Sequence, residues 1–326
     1  MSQNKPRMQR MSPAQQRARN GKSGRPGAAK NKVKPATASD WIAGARLRTL
    51  PLAIAPVIIG VGAAKVAESA GVWHPVRALL CLAVAVFLQI GVNYANDYSD
   101  GIRGTDQYRV GPSRLTGSGR ATPKRVLTVA LVFFALGALA GLVLVLLTQH
   151  WWVLLVGAAA IAAAWFYTGG KRPYGYFGLG EVFVFVFFGV VATAGTTYML
   201  SGTVNQEAWY GSVVAGLIAC AVLMVNNIRD IAPDKAAGKR TLAVLLGNVA
   251  SRIVFCVFLL VPFGILALMA LFYPLAWLGF FALLAALPAC AITLFAKTPR
   301  ELVTALQLTS LTGLLVAIAL GCAYAF

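Results

Sequence analysis

The sequence predicts an all-α, polytopic membrane protein with nine transmembrane helices, and three observations predict it. Only 12% of residues are charged and 58% are hydrophobic, with a mean hydropathy of +0.71, whereas a soluble domain carries roughly 25% charged residues. The apolar residues gather into uncharged runs, and a helix needs roughly 17 to 25 such residues to cross about 30 Å of hydrocarbon. Ten Asp and Glu stand against 29 Lys and Arg, a net charge of +19, yet half of the acids fall in two short stretches at the ends of apolar runs.

Taken in order, the runs are 49–64, 78–95, 126–147, 151–168, 182–200, 208–225, 253–272, 274–296 and 302–326. The first is short and is expected to extend back through Trp41. The second ends in the first acidic stretch and the sixth in the second. The third and ninth are introduced by Thr122-Pro123 and Thr298-Pro299, an N-cap followed by proline at the first helical position. The uncharged stretch 253–296 is too long for one crossing at about 1.5 Å per residue, and Tyr273-Pro274 is its natural break.

Lys and Arg set the orientation. Nine spans threaded from a cytoplasmic N-terminus leave Arg46, Arg48, the 96–125 loop, Lys171, Arg172, the 229–240 loop, Lys297 and Arg300 inside, with Lys65 and Arg77 outside. Both acidic stretches then face the cytoplasm, and the protein belongs in the plasma membrane of a prokaryote. Residues 1–38 hold ten Lys or Arg and no acid; such a segment cannot bury a core and reads as a disordered arm that orients the chain and meets lipid headgroups, not nucleic acid. It lacks the apolar region of a secretory signal. The transmembrane domain is 39–326. The five cysteines lie in apolar runs without CxxC spacing and read as small hydrophobes. His74 and His150 fall on the outer side, away from the acidic stretches, which argues against a His-based metal site or a Ser-His nucleophile.

The first acidic stretch runs Asn93-Tyr94-Ala95-Asn96-Asp97-Tyr98-Ser99-Asp100 and on to Asp106; the second runs Asn226-Asn227-Ile228-Arg229-Asp230 and on to Asp234. Positions three and four apart share a helix face, so Asn93, Asp97 and Asp100 are expected on one stripe and Asn226, Asp230 and Asp234 on another. At about 4 Å and an effective dielectric near 20, a like-charged pair costs on the order of 4 kcal/mol. Mg²⁺ is the expected compensation: it takes oxygen ligands, accepts one or two carboxylates and completes its shell with water and substrate phosphates. Arg103, Arg229, Lys235, Lys239 and Arg240 beside the clusters would neutralise a diphosphate as its bond to carbon breaks.

Four segments resemble the UbiA superfamily of intramembrane aromatic prenyltransferases, and within it the branch that acts on 1,4-dihydroxy-2-naphthoate in menaquinone synthesis. They are Leu47-Arg48-Thr49-Leu50-Pro51 with Pro56 and Gly60, NYANDYSDGIRGTD at 93–106, YTGGKRPYGYFGLGE at 167–181 and NNIRDIAPDKAAGKRTLAV at 226–244. Gly111-Pro112-Ser113-Arg114 also favours that branch. The resemblance implies a nine-helix bundle around a central cavity under a cytoplasmic cap, to which the Gly-, Ser- and Arg-rich segment 101–121 would contribute. It implies a polyprenyl diphosphate donor, an aromatic acid acceptor and Mg²⁺ held by Asp97, Asp100, Asp106, Asp230 and Asp234, the first motif offering three carboxylates. Asn93, Asn96, Arg103, Asn226, Asn227, Arg229, Lys239, Arg240 and Arg172 would surround the diphosphate. Lys171 would bind it or the acceptor carboxylate. Glu181 either assists proton removal or sits at a helix N-terminus that favours negative charge, the second being preferred.

Ionising an allylic diphosphate also needs a dry site and aromatic faces, for which Tyr94, Tyr98, Phe166, Tyr167, Tyr174, Tyr176 and Tyr198 are available. Hydroxybenzoate and homogentisate are the alternative acceptors. Soluble prenyl synthases are excluded by the apolar runs, and the Asp-Gly-x-x-Ala-Arg signature of CDP-alcohol phosphotransferases is missing. A transporter would carry its acids near the midplane of its spans.

Overall fold

The computed structural model describes residues 34–67, 74–105 and 114–326, within which Pro35–Phe326 forms one compact unit. Residues 1–33 of the expected basic arm, and Asp106, lie outside the described residues. All regular elements described are helical.

Thr37 and Asp40 close a capping box at the start of α1 (Ala38–Gly44). A 3-10 turn at Leu47–Thr49 follows, and then α2 (Pro51–Ala67). The first span therefore does reach back past Trp41, but not as one straight rod. Arg46 adopts φ 54° and Pro51 can only begin a helix, so the two parts meet at a 46° bend.

α3 (Pro75–Arg103) carries the first acidic stretch in its last turns and stops at Gly104, whose φ of 73° suits glycine. α4 (Pro123–Thr148) begins at Thr122-Pro123 as the sequence predicts and lies along α3. α5 (Val153–Phe166) has only 14 residues. α6 (Gly180–Ser201) passes through a π-helical segment at Phe185–Val191. α7 (Gln206–Arg229) is capped by Asn205, whose side chain accepts from the Ala208 amide, and leads into the one-turn α8 (Ile231–Ala236) with Asp234.

α9 (Leu242–Ala270) is broken near its start at Gly247. The break at Tyr273-Pro274 falls as expected, with 3-10 turns over Pro274–Ala282 leading to α10 (Leu283–Phe295). Thr298 caps α11 (Pro299–Ala325) by accepting from the Glu301 amide. Arg252 on α9 donates to the carbonyls of Thr293, Leu294 and Ala296 at 2.5, 3.0 and 2.9 Å, tying α9 to the end of α10.

Among the described residues, seven helices are long and apolar enough to cross a bilayer, or eight if the bent α1–α2 pair is one span; α5 is shorter. The chain is a multi-pass membrane protein. Phe255, Leu259, Leu266, Val225 and Leu320 centre the core between α7, α9 and α11, while Leu155, Leu284 and Phe295 are exposed, as lipid-facing side chains are. Helices in lipid associate through close backbone approach at small residues. A Cβ on Gly62 of α2 would lie 2.5 Å from the Gly321 carbonyl oxygen of α11, and one on Gly189 of α6 would lie 2.7 Å from Gly216 Cα of α7.

Candidate active site

Residues of α2 to α7 enclose a cavity of about 550 Å³. Its wall is apolar over most of its length, with Val57, Val84, Leu144 and Ile161 among the lining side chains, and polar at the end where the two acidic stretches meet. On α7 and α8 the predicted stripe holds: Asn226, Asp230 and Asp234 all line the cavity, with Asn227 beside them.

On α3 the stripe is corrected. The polar lining positions are Gln89, Asn93, Asn96 and Asp100, so the helix turns Asn96 inward and Asp97 away. Asp97 lies on the face with Gly101, against the 114–121 segment; a Cβ on Gly101 would meet the Thr116 side chain at 2.3 Å. Its two carboxylate oxygens accept from the backbone amides of Leu115 and Thr116, both at 2.9 Å. That satisfies a buried carboxylate by neutral donors and commits it to holding the segment. Asn93 also serves the scaffold, donating Nδ2 to the Ala45 carbonyl at 3.0 Å.

Asp100 accepts three hydrogen bonds at the polar end. Its Oδ2 accepts from Arg114 at 2.7 Å and from Lys239 at 3.4 Å, and its Oδ1 from the Tyr176 hydroxyl at 2.9 Å. The Lys239 ammonium is also 3.7 Å from Asp234 Oδ1, so one cation reaches a carboxylate of each acidic stretch. Arg229 lies buried and forks onto Asp230, with Nε 2.8 Å from Oδ1 and Nη2 2.5 Å from Oδ2, while Nη2 also meets Asn226 Oδ1 at 2.8 Å. Asn96 accepts from the Thr168 hydroxyl at 2.6 Å.

Other predicted residues stand outside the cavity wall. Arg103 donates through both terminal nitrogens to the carbonyls of Thr168 and Gly170 and lies 5.4 Å from the Tyr176 ring centre, which makes it a clasp on the loop after α5. Arg240 donates its backbone amide to the Tyr176 carbonyl at 3.0 Å. Lys171 and Arg172 are exposed on that loop. Of the aromatics, Tyr167, Tyr174 and Tyr176 line the cavity. Burial pushes the Tyr174 and Tyr176 hydroxyls up, and the Asp100 carboxylate adds to the effect at Tyr176. Tyr94 instead donates to the Trp41 carbonyl at 2.5 Å, Tyr98 stacks on Trp165, Phe166 is exposed and Tyr198 meets His150 and Trp152 at the opposite end.

Sequence reasoning missed four contributors. Arg114 was visible only as the end of Gly-Pro-Ser-Arg; Gln89 stood four residues before Asn93, on the same stripe, and donates to Thr49 Oγ1 at 3.0 Å. Phe183 and Phe187 both line the cavity in a stacked column with Tyr174, at 3.9 Å between Tyr174 and Phe183 and 6.3 Å between Phe183 and Phe187; nothing in their spacing marked them.

The donor set at the polar end fits a hard divalent cation. Asp100, Asp230, Asp234, Asn96 and Asn226 offer oxygen only or oxygen and amide, and the cations beside them suit an anionic co-ligand. Among the described residues no three carboxylates, histidines or cysteines gather into one metal cluster.

A model of the UbiA prenyltransferase family matches residues 53–307. A 1,4-dihydroxy-2-naphthoate octaprenyltransferase of Mycobacterium tuberculosis is 50% identical over 89% of this chain and 98% of its own. Among solved structures, a UbiA homolog from Aeropyrum pernix superposes with a TM-score of 0.60 at 16% identity, over 83% of this chain and 96% of that one. Another from Archaeoglobus fulgidus, bound to GPP and Mg²⁺, gives 0.57 at 15% identity, over 88% and 99%. At such identities the structures speak for the fold alone. With the family model covering both acidic stretches and half the residues shared with a full-length relative, this chain belongs to the UbiA prenyltransferase family.

Proposed function

We propose that the protein transfers a polyprenyl chain from its diphosphate to 1,4-dihydroxy-2-naphthoate, with loss of the ring carboxylate, giving demethylmenaquinol, the reduced form of demethylmenaquinone. The observation that carries the reading is Lys239, within 3.4 Å of Asp100 and 3.7 Å of Asp234 at the polar end of an otherwise apolar cavity. That end suits a charged diphosphate and the remainder suits an isoprenoid.

Asp100 from the first stretch and Asp230 and Asp234 from the second would hold Mg²⁺, no more than two carboxylates to an ion, with Asn96 and Asn226 beside them; Asp97 holds the 114–121 segment, and Asp106, outside the described residues, would be a further carboxylate. When bound, Mg²⁺ neutralises diphosphate charge as the leaving group departs. Lys239 and Arg114, the two cations already turned toward Asp100, bind diphosphate oxygens and stabilise the negative charge that the leaving group gains. The allylic carbon–oxygen bond breaks with its electron pair on diphosphate. The wall formed by Tyr174, Phe183 and Phe187 faces the resulting cation without a nucleophile and excludes water. The ring carbon bearing the carboxylate forms the new carbon–carbon bond, and the carboxyl group leaves as carbon dioxide, its bonding pair restoring the aromatic ring. Lys171 and Arg172, exposed beside the site, attract the acidic acceptor.

The bundle is read as nine crossings under a cytoplasmic cap. Seven long helices and the bent pair account for eight. α5 is the ninth: Trp152, just before it, donates to Tyr198 at the far end of α6, and Thr168, just after it, donates to Asn96 at the polar end. Its 14 residues span about 21 Å, so the turns on either side complete the crossing. The distribution of Lys and Arg supports a cytoplasmic polar end in the plasma membrane of a prokaryote, and residues 114–121 belong to the cap.

The test is purified protein in lipid with a polyprenyl diphosphate, Mg²⁺ and a panel of aromatic acids. Diphosphate release that requires all three components, together with a lipid product whose mass equals prenyl plus acceptor less carbon dioxide, is expected with the naphthoate. Turnover with hydroxybenzoate or homogentisate in its place would overturn the choice of acceptor, and no diphosphate release with any acid would overturn the reaction.

A further inference from the structure

Glu181 opens α6 beside the site, and an acid there has a ready explanation in the favourable field at a helix N-terminus. The side chain does not behave as a surface cap. It is only 5% exposed, and among the described residues it meets no Lys or Arg. Its Oε1 accepts from Asn227 Nδ2 at 3.1 Å, while Oε2 is buried without a hydrogen-bond partner among the described residues. A buried carboxyl lacking a cation is costly, and the reaction described above makes no use of it.

The partner is what gives it meaning. Asn227 lines the cavity between Asn226 and Asp230. A primary amide presents a donor on one edge and an acceptor on the other, and the two orientations are nearly the same in shape. Without a fixed partner Asn227 would sample both. A partner that only accepts selects one: Nδ2 turns toward Glu181 and the carbonyl edge is left for the other side.

We infer that Glu181 is a positioning residue that locks the Asn227 amide, so that the acceptor edge of Asn227 serves the polar end of the cavity where magnesium diphosphate binds. The inference rests on the proposed reaction for the identity of that ligand. It assigns Glu181 neither to proton removal from the acceptor nor to helix capping, and the three roles respond differently to substitution.

The experiment measures binding of inorganic pyrophosphate with Mg²⁺ by calorimetry, beside kcat and KM for both substrates. Glu181→Leu is expected to weaken Mg²⁺-dependent pyrophosphate binding about tenfold, the scale of losing the partner that orients an oxygen contact to the bound cation, and to leave the acceptor KM unchanged. Glu181→Gln keeps an accepting oxygen for the same bond but no longer only accepts, so it should lose part of the lock, about threefold in pyrophosphate binding, and keep kcat near the parent. In the Asn227→Ala background, Glu181→Leu should cost nothing further, because Glu181 acts through the amide. Should Glu181→Leu fail to fold, Asn227→Asp replaces it. That variant sets two carboxylates against each other and should lose binding, and adding Glu181→Gln should restore part of it. A Glu181→Gln variant as impaired in kcat as Glu181→Leu would overturn the inference in favour of proton transfer. Additive losses with Asn227→Ala, or unchanged pyrophosphate binding in Glu181→Leu, would overturn it outright. A parent protein that binds no pyrophosphate at all would overturn the proposed reaction and this inference with it.

Discussion

Lys239 and Asp100 are separated by 139 positions and meet because α3 and the turn after α8 end at the same side of the bundle. Lys239→Gln should lower kcat/KM for the polyprenyl diphosphate by about 100-fold, as expected for a lost charge-assisted contact to a leaving group, with the acceptor KM unchanged in steady-state assays. Tyr176→Phe removes one of three donors to Asp100 and should cost about 1 kcal/mol of stability in thermal unfolding. Because the Tyr176 hydroxyl is shifted upward, its contribution is complete below the ordinary tyrosine value near 10 and is lost only as pH rises through the raised one; activity should therefore show no tyrosine titration at neutral pH. The second acidic stretch was legible in the sequence as a stripe. The first was half legible, since steps of three and four both keep a helix face at a period of 3.6 residues. Choosing 93–96–100 over 93–97–100 depends on the 114–121 segment that claims Asp97, and that contact is not local to the helix.

At the level of helices, uncharged length located the spans well, and Thr122-Pro123, Tyr273-Pro274 and Thr298-Pro299 marked real boundaries. Length could not reveal the 46° bend before α2 or the π-helical segment in α6, because neither changes the count of apolar residues in its run. One close crossing and one clasp bear on stability. Gly62→Leu forces a side chain against the backbone of Gly321 and should destabilise the α2–α11 contact by about 1–3 kcal/mol, the usual cost of overpacking, read as a lower unfolding temperature in detergent. Arg103→Lys keeps the charge but loses the fork that holds two carbonyls of the loop after α5. Faster cleavage of that loop in limited proteolysis is expected, with full recovery only when arginine is restored.

Across the whole molecule, the nine crossings proposed above would put the two chain ends on opposite sides of the membrane. Reporter fusions should place the N-terminus in the cytoplasm and the C-terminus outside, whereas eight crossings would put both on one side. Removing divalent ions with a chelator should abolish turnover and leave the thermal transition of the core between α7, α9 and α11 in place, because that core rests on apolar contact. The chamber itself holds about 550 Å³, the size that encloses a drug-sized ligand, which is far less than a long isoprenoid occupies. On the proposed reaction, only the first few units of the donor are enclosed and the rest of the tail trails among the acyl chains. Such an enzyme has no ruler: the number of isoprene units in its quinone is decided upstream, by whichever synthase makes the donor.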